Sequence, residues 1–76
     1  MTEYHRPRGY KAHKWHKGER LPAEYRTKVY VVEDYNSYRL RQPPRGYHWV
    51  RVDNDVVLTA IATGVVLEVV NELFYQ

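Results

Sequence analysis

Two histidines, His13 and His16, are the residues of this chain whose type and spacing point most directly to chemistry. On a helix they would share one face, and imidazole nitrogens suit Ni²⁺, Co²⁺, Cu²⁺ and Zn²⁺. A third ligand would have to come from His5, Glu3 or Glu19. Three lysines flank the pair: Lys11, Lys14 and Lys17. Each lysine repels each unit of positive charge on a cation by about 1 kcal/mol near 4 Å in water. We therefore expect weak binding of nickel or cobalt by His5, His13 and His16, and no firmly held cofactor.

The same lysines belong to a basic and aromatic N-terminal segment. Residues 1–20 carry six basic and two acidic residues (+4), and residues 21–76 carry six and seven (−1), which together give the net charge of +3. Such a segment suits anionic lipid headgroups or polysaccharide. It also suits nucleic acid, which we do not favour. The candidates for binding an anionic surface or a partner are Arg6, Arg8, Lys11, Lys14, Trp15 and Lys17. The simpler alternative is a solvated basic tail with no target.

Catalytic arrangements are missing from the sequence. It has no Cys, no Ser/His/Asp order and no glycine-rich phosphate loop, so we predict that the protein is not an enzyme. Asp53 and Asp55 flank an expected turn, whose chemistry explains both. His48 lies between Tyr47 and Trp49 in a predicted strand. A hydrogen-bonded structural histidine is favoured there over a metal ligand.

The elements that position these residues begin at Leu21. Residues 1–18 have no sustained period and no aliphatic side chain larger than Ala12 after Met1. We therefore predict a flexible basic tail that is disordered or only loosely docked. Residues 19–76 are predicted to form one domain, because a chain of 76 residues supports one at most.

We predict an α+β fold for this domain, with an antiparallel sheet of three or four strands and one or two short helices. The C-terminal half forms a three-stranded meander, in which Gly64 supplies the positive φ of the second hairpin. Short helical segments are expected at residues 21–26 and 33–38. Strands are expected at residues 28–32, 47–52, 56–62 and 65–70, and extended chain follows at 73–75 after a bulge or turn at Asn71 and Glu72.

Both faces of this meander are apolar. Val56 and Leu58 of its second strand point to one side, and Val57 points to the other. Residues 21–40 are expected to cover one face. The other face requires a partner surface, a second copy in a homodimer, or the tail, and this requirement indicates a binding role.

Four segments carry a family resemblance: Trp15 to Arg26, with Gly18-Glu19 and Leu21-Pro22 before Tyr25-Arg26; Val32 to Tyr35; Leu40 to Val52, with Pro43-Pro44-Arg45-Gly46 before Trp49; and Asp55 to Val66. In order and spacing they are similar to the RcnB family of periplasmic nickel/cobalt homeostasis proteins. The resemblance covers about residues 15–76.

The resemblance implies a small periplasmic α+β domain that assists nickel and cobalt efflux as an accessory protein. Its partner would be an envelope protein or a component of metal efflux. Members of the family usually carry a signal peptide, and the polar residues 1–18 lack the apolar run that one needs. We therefore expect a mature form from which the signal peptide has been removed. The resemblance carries over no catalytic residue and no ligand set.

Overall fold

The C-terminal half of the chain is a three-stranded antiparallel meander in the computed structural model, which describes residues 4–74. In chain order and in sheet order, its strands are β1 (Tyr47–Val52), β2 (Asp55–Ala60) and β3 (Val66–Val70). Their β-branched and aromatic residues favour extended backbone. Asp53, with a φ of 57°, turns the chain between β1 and β2. The predicted meander is therefore confirmed, with β2 ending at Ala60 rather than at residue 62.

The helical elements of the described chain are single turns. Three 3-10 turns precede the sheet, at Ala23–Arg26, Lys28–Tyr30 and Tyr35–Tyr38. The first and third lie where short helices were expected, but residues 4–74 contain no α-helix. Within the same residues, no helix is long and apolar enough to cross a membrane. The fold is a small, mostly β domain, and the α+β class holds only loosely.

The strand predicted at residues 28–32 is wrong. The amide of Val31 donates to the carbonyl of Lys28 over 3.2 Å, which closes a 3-10 turn. Val31 then meets the sheet in a single bridge to Val50 of β1. The β-branched sequence is overridden because the chain bends here around the edge of β1, and tertiary context commonly overrides strand propensity.

Residues 21–40 wrap around this edge and reach both faces of the sheet. The first face holds one set of buried side chains: Leu21, Tyr25, Val50, Val52, Val57 and Val66. The second face holds another set: Val32, Leu40, Trp49, Val56 and Leu58. The chain crosses between them where the amide of Val32 donates to the carbonyl of Trp49 over 2.8 Å. The expectation that this segment covers one face only is therefore wrong.

Residues near the two ends of the chain complete the faces. Tyr10 and Trp15 pack on the first face, and Leu73 and Phe74 pack on the second. Leu73 and Phe74 belong to a turn at residues 71–74, not to the predicted extended segment, whose last residue lies outside the described chain. Both faces thus carry packed side chains over residues 4–74. The tail, one of the three covers expected for the sheet, packs on the first face, and the homodimer stays a prediction.

Gly64 fixes the hairpin between β2 and β3. Its φ of +82° lies in the left-handed region, as predicted. Its carbonyl accepts the amide of Leu21 over 2.8 Å. A Cβ at this position would lie 2.8 Å from Nε of Arg26 and 2.9 Å from the carbonyl oxygen of Leu21. The absence of a side chain at Gly64 lets the N-terminal half of the chain dock on this hairpin.

Candidate functional site

The N-terminal segment, residues 4–18, docks beside the turn between β1 and β2. Nε of Arg6 donates to Oδ1 of Asp53 over 2.8 Å. The amide of Asp53 donates to the hydroxyl of Tyr4, also over 2.8 Å. The guanidinium carbon of Arg51 lies 4.6 Å from the centroid of the Tyr4 ring, in the range of a cation–π contact. Tyr4 and Arg6 thus hold the first described residues of the segment against the domain. The flexibility predicted for the segment stays a prediction.

The same segment ends on the outer edge of β3. The amide of Gly18 donates to the carbonyl of Val66, and the amide of Val66 donates to the carbonyl of Glu19, both over 2.8 Å. Arg20 then forms a single antiparallel bridge with Val65. Residues 18–20 therefore behave as a very short fourth strand at the beginning of β3.

A tight turn before this bridge positions the two histidines. The amide of Glu19 donates to the carbonyl of His16 over 3.1 Å, and Gly18 turns the chain with a φ of +94°. The turn brings the Glu19 side chain back toward the residues that precede it. A turn, and not the helix considered from the spacing, brings His13 and His16 near each other.

The carboxylate of Glu19 is the centre of this arrangement. Its Oε1 accepts the amide of His16 over 2.6 Å and lies 3.5 Å from Nδ1 of the same histidine. Its Oε2 lies 3.3 Å from Nε2 of His13. The bond from the His16 amide is the main reason that the pKa of Glu19 lies below its usual range, with a smaller contribution from His13. The carboxylate is therefore ionised at neutral pH and faces both imidazoles.

His5 lies beside the turn between β1 and β2 rather than at Glu19. Its carbonyl accepts the hydroxyl of Tyr30, and it lines a cleft with Tyr4, Arg6, Asp53 and Asn54. Within residues 4–74 no three His, Cys, Asp or Glu residues are arranged to hold a metal ion. The cluster of His13, His16 and Glu19 is thus a convergence of donor groups without the geometry of a formed metal site. Glu3, the other sequence candidate, lies outside the described residues.

Trp15 connects the histidines to the core. The His13 ring lies 4.2 Å from the Trp15 ring, and the Trp15 ring lies 5.9 Å from the ring of the buried Tyr25, centroid to centroid. Edge-to-face aromatic pairs at such distances add stability beyond the area that they bury. Trp15 is therefore half-buried, and the side of its ring that faces the core has a structural role.

The basic residues predicted to bind a surface divide into two groups. Arg6 is held by Asp53 in an ion pair of 2.8 Å. The other basic side chains of the set are exposed: Arg8, Lys11, Lys14 and Lys17. Across the described part of the chain, none of these four takes part in an ion pair. They are available to an anionic partner, whereas Arg6 and Trp15 are engaged with the domain.

His48 is half-buried in β1, and its Nε2 is buried without a hydrogen-bond partner. The hydrogen-bonded histidine predicted from the sequence is therefore not found at this nitrogen. Burial, and next the charge of Arg26, lower the pKa of His48. The residue is a structural group that favours its neutral form.

The sequence pointed to Glu19 as one of three candidate partners for the histidines, and the structure brings this one to them. The groove between the N-terminal segment and β3 was not predicted, because its two walls are distant in the chain. The signal that the sequence did contain is local: two histidines three residues apart, followed by a glutamate after a glycine. Contact between residues 14–17 and 67–71 has no such local signal.

The fold defines a small domain built on a three-stranded antiparallel meander. A family model described as RcnB, nickel/cobalt transporter regulator, matches residues 18–68. The chain therefore belongs to the RcnB family, and the resemblance found in the sequence is confirmed. The matched region includes Glu19 and the whole sheet apart from the last two residues of β3, whereas His13 and His16 precede it.

A solved structure also shares the fold. It is 32% identical in sequence, superposes with a TM-score of 0.71, and aligns over 82% of this chain and 76% of its own. No curated protein matches the chain.

Proposed function

We propose that this chain is a non-enzymatic accessory protein of nickel/cobalt transporter regulation that works in the periplasm. It acts by binding an envelope protein or metal-efflux component and by binding Ni²⁺ or Co²⁺ weakly. Membership of the RcnB family over residues 18–68 supports the metal context. The observation that carries the binding chemistry is the convergence of His13 and His16 on the Glu19 carboxylate.

The chemistry of this cluster suits a transient metal ligand. Neutral imidazole and carboxylate both bind divalent nickel and cobalt, and Glu19 is ionised at neutral pH because its pKa is lowered. His13 and His16 have 47% and 73% of their side-chain surface exposed, so an ion can reach them. The exposed Lys14 and Lys17 repel cations at the same time, and we therefore expect micromolar affinity or weaker.

Titration with nickel or cobalt chloride tests this proposal. We expect the imidazole NMR signals of His13 and His16 to shift or broaden together, while that of the half-buried His48 in β1 does not. The signal of His5 reports whether the third predicted histidine joins. Affinity should fall as the solution is made acidic, because protonation removes the imidazole lone pair that binds the metal.

A glutamate substitution sharpens the same titration. Glu19→Gln keeps the shape of the side chain and removes its charge, and we expect affinity to fall about tenfold or more. Glu33→Gln is the matched control, because Glu33 is exposed and forms no ion pair among residues 4–74. If His13 and His16 do not respond at millimolar nickel, the metal-binding part of the proposal is wrong.

The second candidate function is attachment to anionic lipid or polysaccharide. The four exposed basic side chains, Arg8, Lys11, Lys14 and Lys17, support it. Such binding should strengthen as His protonates and should collapse as the Debye length shortens from roughly 10 Å at 0.1 M salt to 3 Å at 1 M. Cosedimentation with phosphatidylglycerol vesicles at two salt concentrations and two pH values tests it. Metal binding responds to pH with the opposite sign.

The periplasmic location is tested separately, by expressing the full-length gene with a C-terminal tag and fractionating the cells by osmotic shock. We expect the tag in the periplasmic fraction, together with a periplasmic marker enzyme. Recovery with a cytoplasmic marker would contradict this part of the proposal without affecting the metal titration.

A further inference from the structure

The outer edge of β3 is only partly occupied. The sheet order makes β1 and β3 its two edge strands. At β1, Val31 and Val32 bond to the middle of the strand. At β3, the backbone of residues 18–20 bonds only to Val66, and Arg20 pairs with Val65 in a single bridge. In the described chain, no backbone group outside the sheet bonds to residues 67–70. Edge strands with free backbone groups are places where another strand can add.

A turn at residues 16–19 directs the chain away from the outer edge of β3. Gly18, with a φ of +94°, reverses the direction of the chain just before the bridge. The amide of His16 is held by the Glu19 carboxylate over 2.6 Å, which fixes the turn from the other side. Residues 14–17 therefore run away from β3, whereas residues 18–20 follow it.

A groove of about 670 Å³ lies where the two segments separate. Its volume lies within the range of binding sites, about 300–1,000 Å³. One wall consists of residues 14–17, and the other of residues 67–69 of β3 with Asn71. The open edge thus faces a preformed space.

The side chains of the groove define the chemistry that it accepts. Leu67 and Val69 give it apolar surface, and Lys14 and Lys17 give it positive charge. Its acidic residue, Glu68, is neutralised by Arg41 through an ion pair of 2.6 Å. The unpaired charge of the groove is therefore positive.

We propose that the groove beside β3 binds an extended acidic peptide of a partner protein, which adds to the sheet as a further strand. Backbone hydrogen bonds to residues 67–70 supply affinity, and alternating side chains supply specificity. Leu67 packs with the second face of the sheet and Val69 with the first. Apolar side chains of the peptide therefore contact one of the two, and its Asp or Glu side chains meet Lys14 and Lys17. The inference deepens the partner-binding part of the proposed function, on which it rests, and does not require metal binding at Glu19.

A pair of synthetic peptides tests this proposal with the full chain. The first is an acetylated and amidated hexapeptide that alternates Glu and Val, and the second replaces each Glu with Lys. We expect the acidic peptide to shift the backbone amide NMR signals of residues 67–70 and to slow their hydrogen exchange. We expect the basic peptide to leave both unchanged.

Charge-reversal variants locate the binding. Lys14→Glu/Lys17→Glu should weaken binding of the acidic peptide about tenfold or more, because two attractions become repulsions. Lys28→Glu/Arg45→Glu makes the same change of net charge at exposed positions outside the groove and should leave the affinity within about twofold. Far-UV circular dichroism of both variants checks that they are folded.

Three results would overturn the proposal. They are equal affinity for the two peptides, shifts that map away from residues 67–70, and no response at millimolar peptide. If Lys14→Glu/Lys17→Glu does not weaken binding but makes the protein self-associate, the two lysines only protect the edge. Nickel titration of the unsubstituted protein, in which all four charges are retained, separates a failure of this inference from a failure of the proposed metal chemistry.

Discussion

Glu19 joins two roles within a single residue. Its side chain accepts the His16 amide and faces the His13 imidazole, and its backbone carbonyl accepts the amide of Val66 in β3. Because its pKa is lowered, the carboxylate stays charged through the neutral range. Any ligand that draws the carboxylate away from His16 would therefore loosen the turn that sets the groove beside β3.

His48 gives the clearest pH effect at this scale. Burial and Arg26 lower its pKa in the folded protein, while the unfolded chain has the ordinary value of about 6.5. The unfolded state therefore takes up a proton first as the pH falls. The contribution of His48 to stability is fully present above pH ~6.5 and is lost as the pH falls through the folded pKa. We expect the free energy of unfolding, measured in urea, to decrease from pH 7.5 to pH 5.

His48→Gln should reduce this dependence, because the group that titrates is gone. His16→Gln is the matched control, since His16 has 73% of its side chain exposed, and the dependence should remain. An unchanged slope in His48→Gln would assign the effect to another group.

At the scale of elements, the β2–β3 hairpin depends on Gly64. An alanine there would take a φ of +82° and would bring Cβ within 2.9 Å of the backbone oxygen of Leu21. Left-handed backbone alone costs about 1–2 kcal/mol for a residue with a side chain, and the contact adds to it. We expect Gly64→Ala to lose about 3 kcal/mol in chemical denaturation.

Gly46 provides the control for this prediction. Its φ is +87°, and a Cβ there would meet nothing within 4 Å. Gly46→Ala should therefore lose only the backbone cost, about 1 kcal/mol. Equal losses in the two variants would show that the contact with Leu21 has no energetic consequence.

Elements with a local cause were predictable from the sequence. The strands of the meander follow from runs of β-branched residues, and the turn at Asp53 follows from the side-chain chemistry of Asp and Asn. Gly64 followed from the need for positive φ in a short hairpin. Each of these features depends on residues that are neighbours in the chain.

Elements with a distant cause were not predictable. Residues 28–30 have strand-forming side chains but lie at the corner where the chain passes the edge of β1. The docking of Trp15 on Tyr25 depends on a fold that the N-terminal segment cannot specify alone. The histidine pair was visible in the sequence, but the turn that aims both rings at Glu19 was not.

At the scale of the whole molecule, residues near the two ends of the chain complete the core. Arg51 of β1 lies between the rings of Tyr4 and Phe74, with its guanidinium carbon 4.6 and 4.0 Å from their centroids. Tyr10 packs against Tyr25 with its ring 5.4 Å away. A domain of this size buries a smaller fraction of its unfolded surface than a larger domain does, roughly 60%, so these contacts weigh more than they would in a larger protein.

Deletion of residues 1–14 tests how far the N-terminal segment belongs to the fold. The buried side chains of both faces begin at Leu21, so we expect the shortened protein to unfold cooperatively. It loses Tyr10 from the first face, the Tyr4 hydroxyl that accepts the amide of Asp53, the Tyr4 ring beside Arg51, and the ion pair between Arg6 and Asp53. We estimate a loss of about 2 kcal/mol, which lowers the melting temperature by roughly 10 °C in a domain of this size.

The control for this deletion is Arg8→Gln/Lys11→Gln, which changes only exposed side chains of the segment and should melt like the parent protein. An unchanged melting temperature in the shortened protein would show that residues 1–14 add nothing to stability. Loss of a cooperative transition would show that they are part of the domain, and that its boundary lies before residue 18.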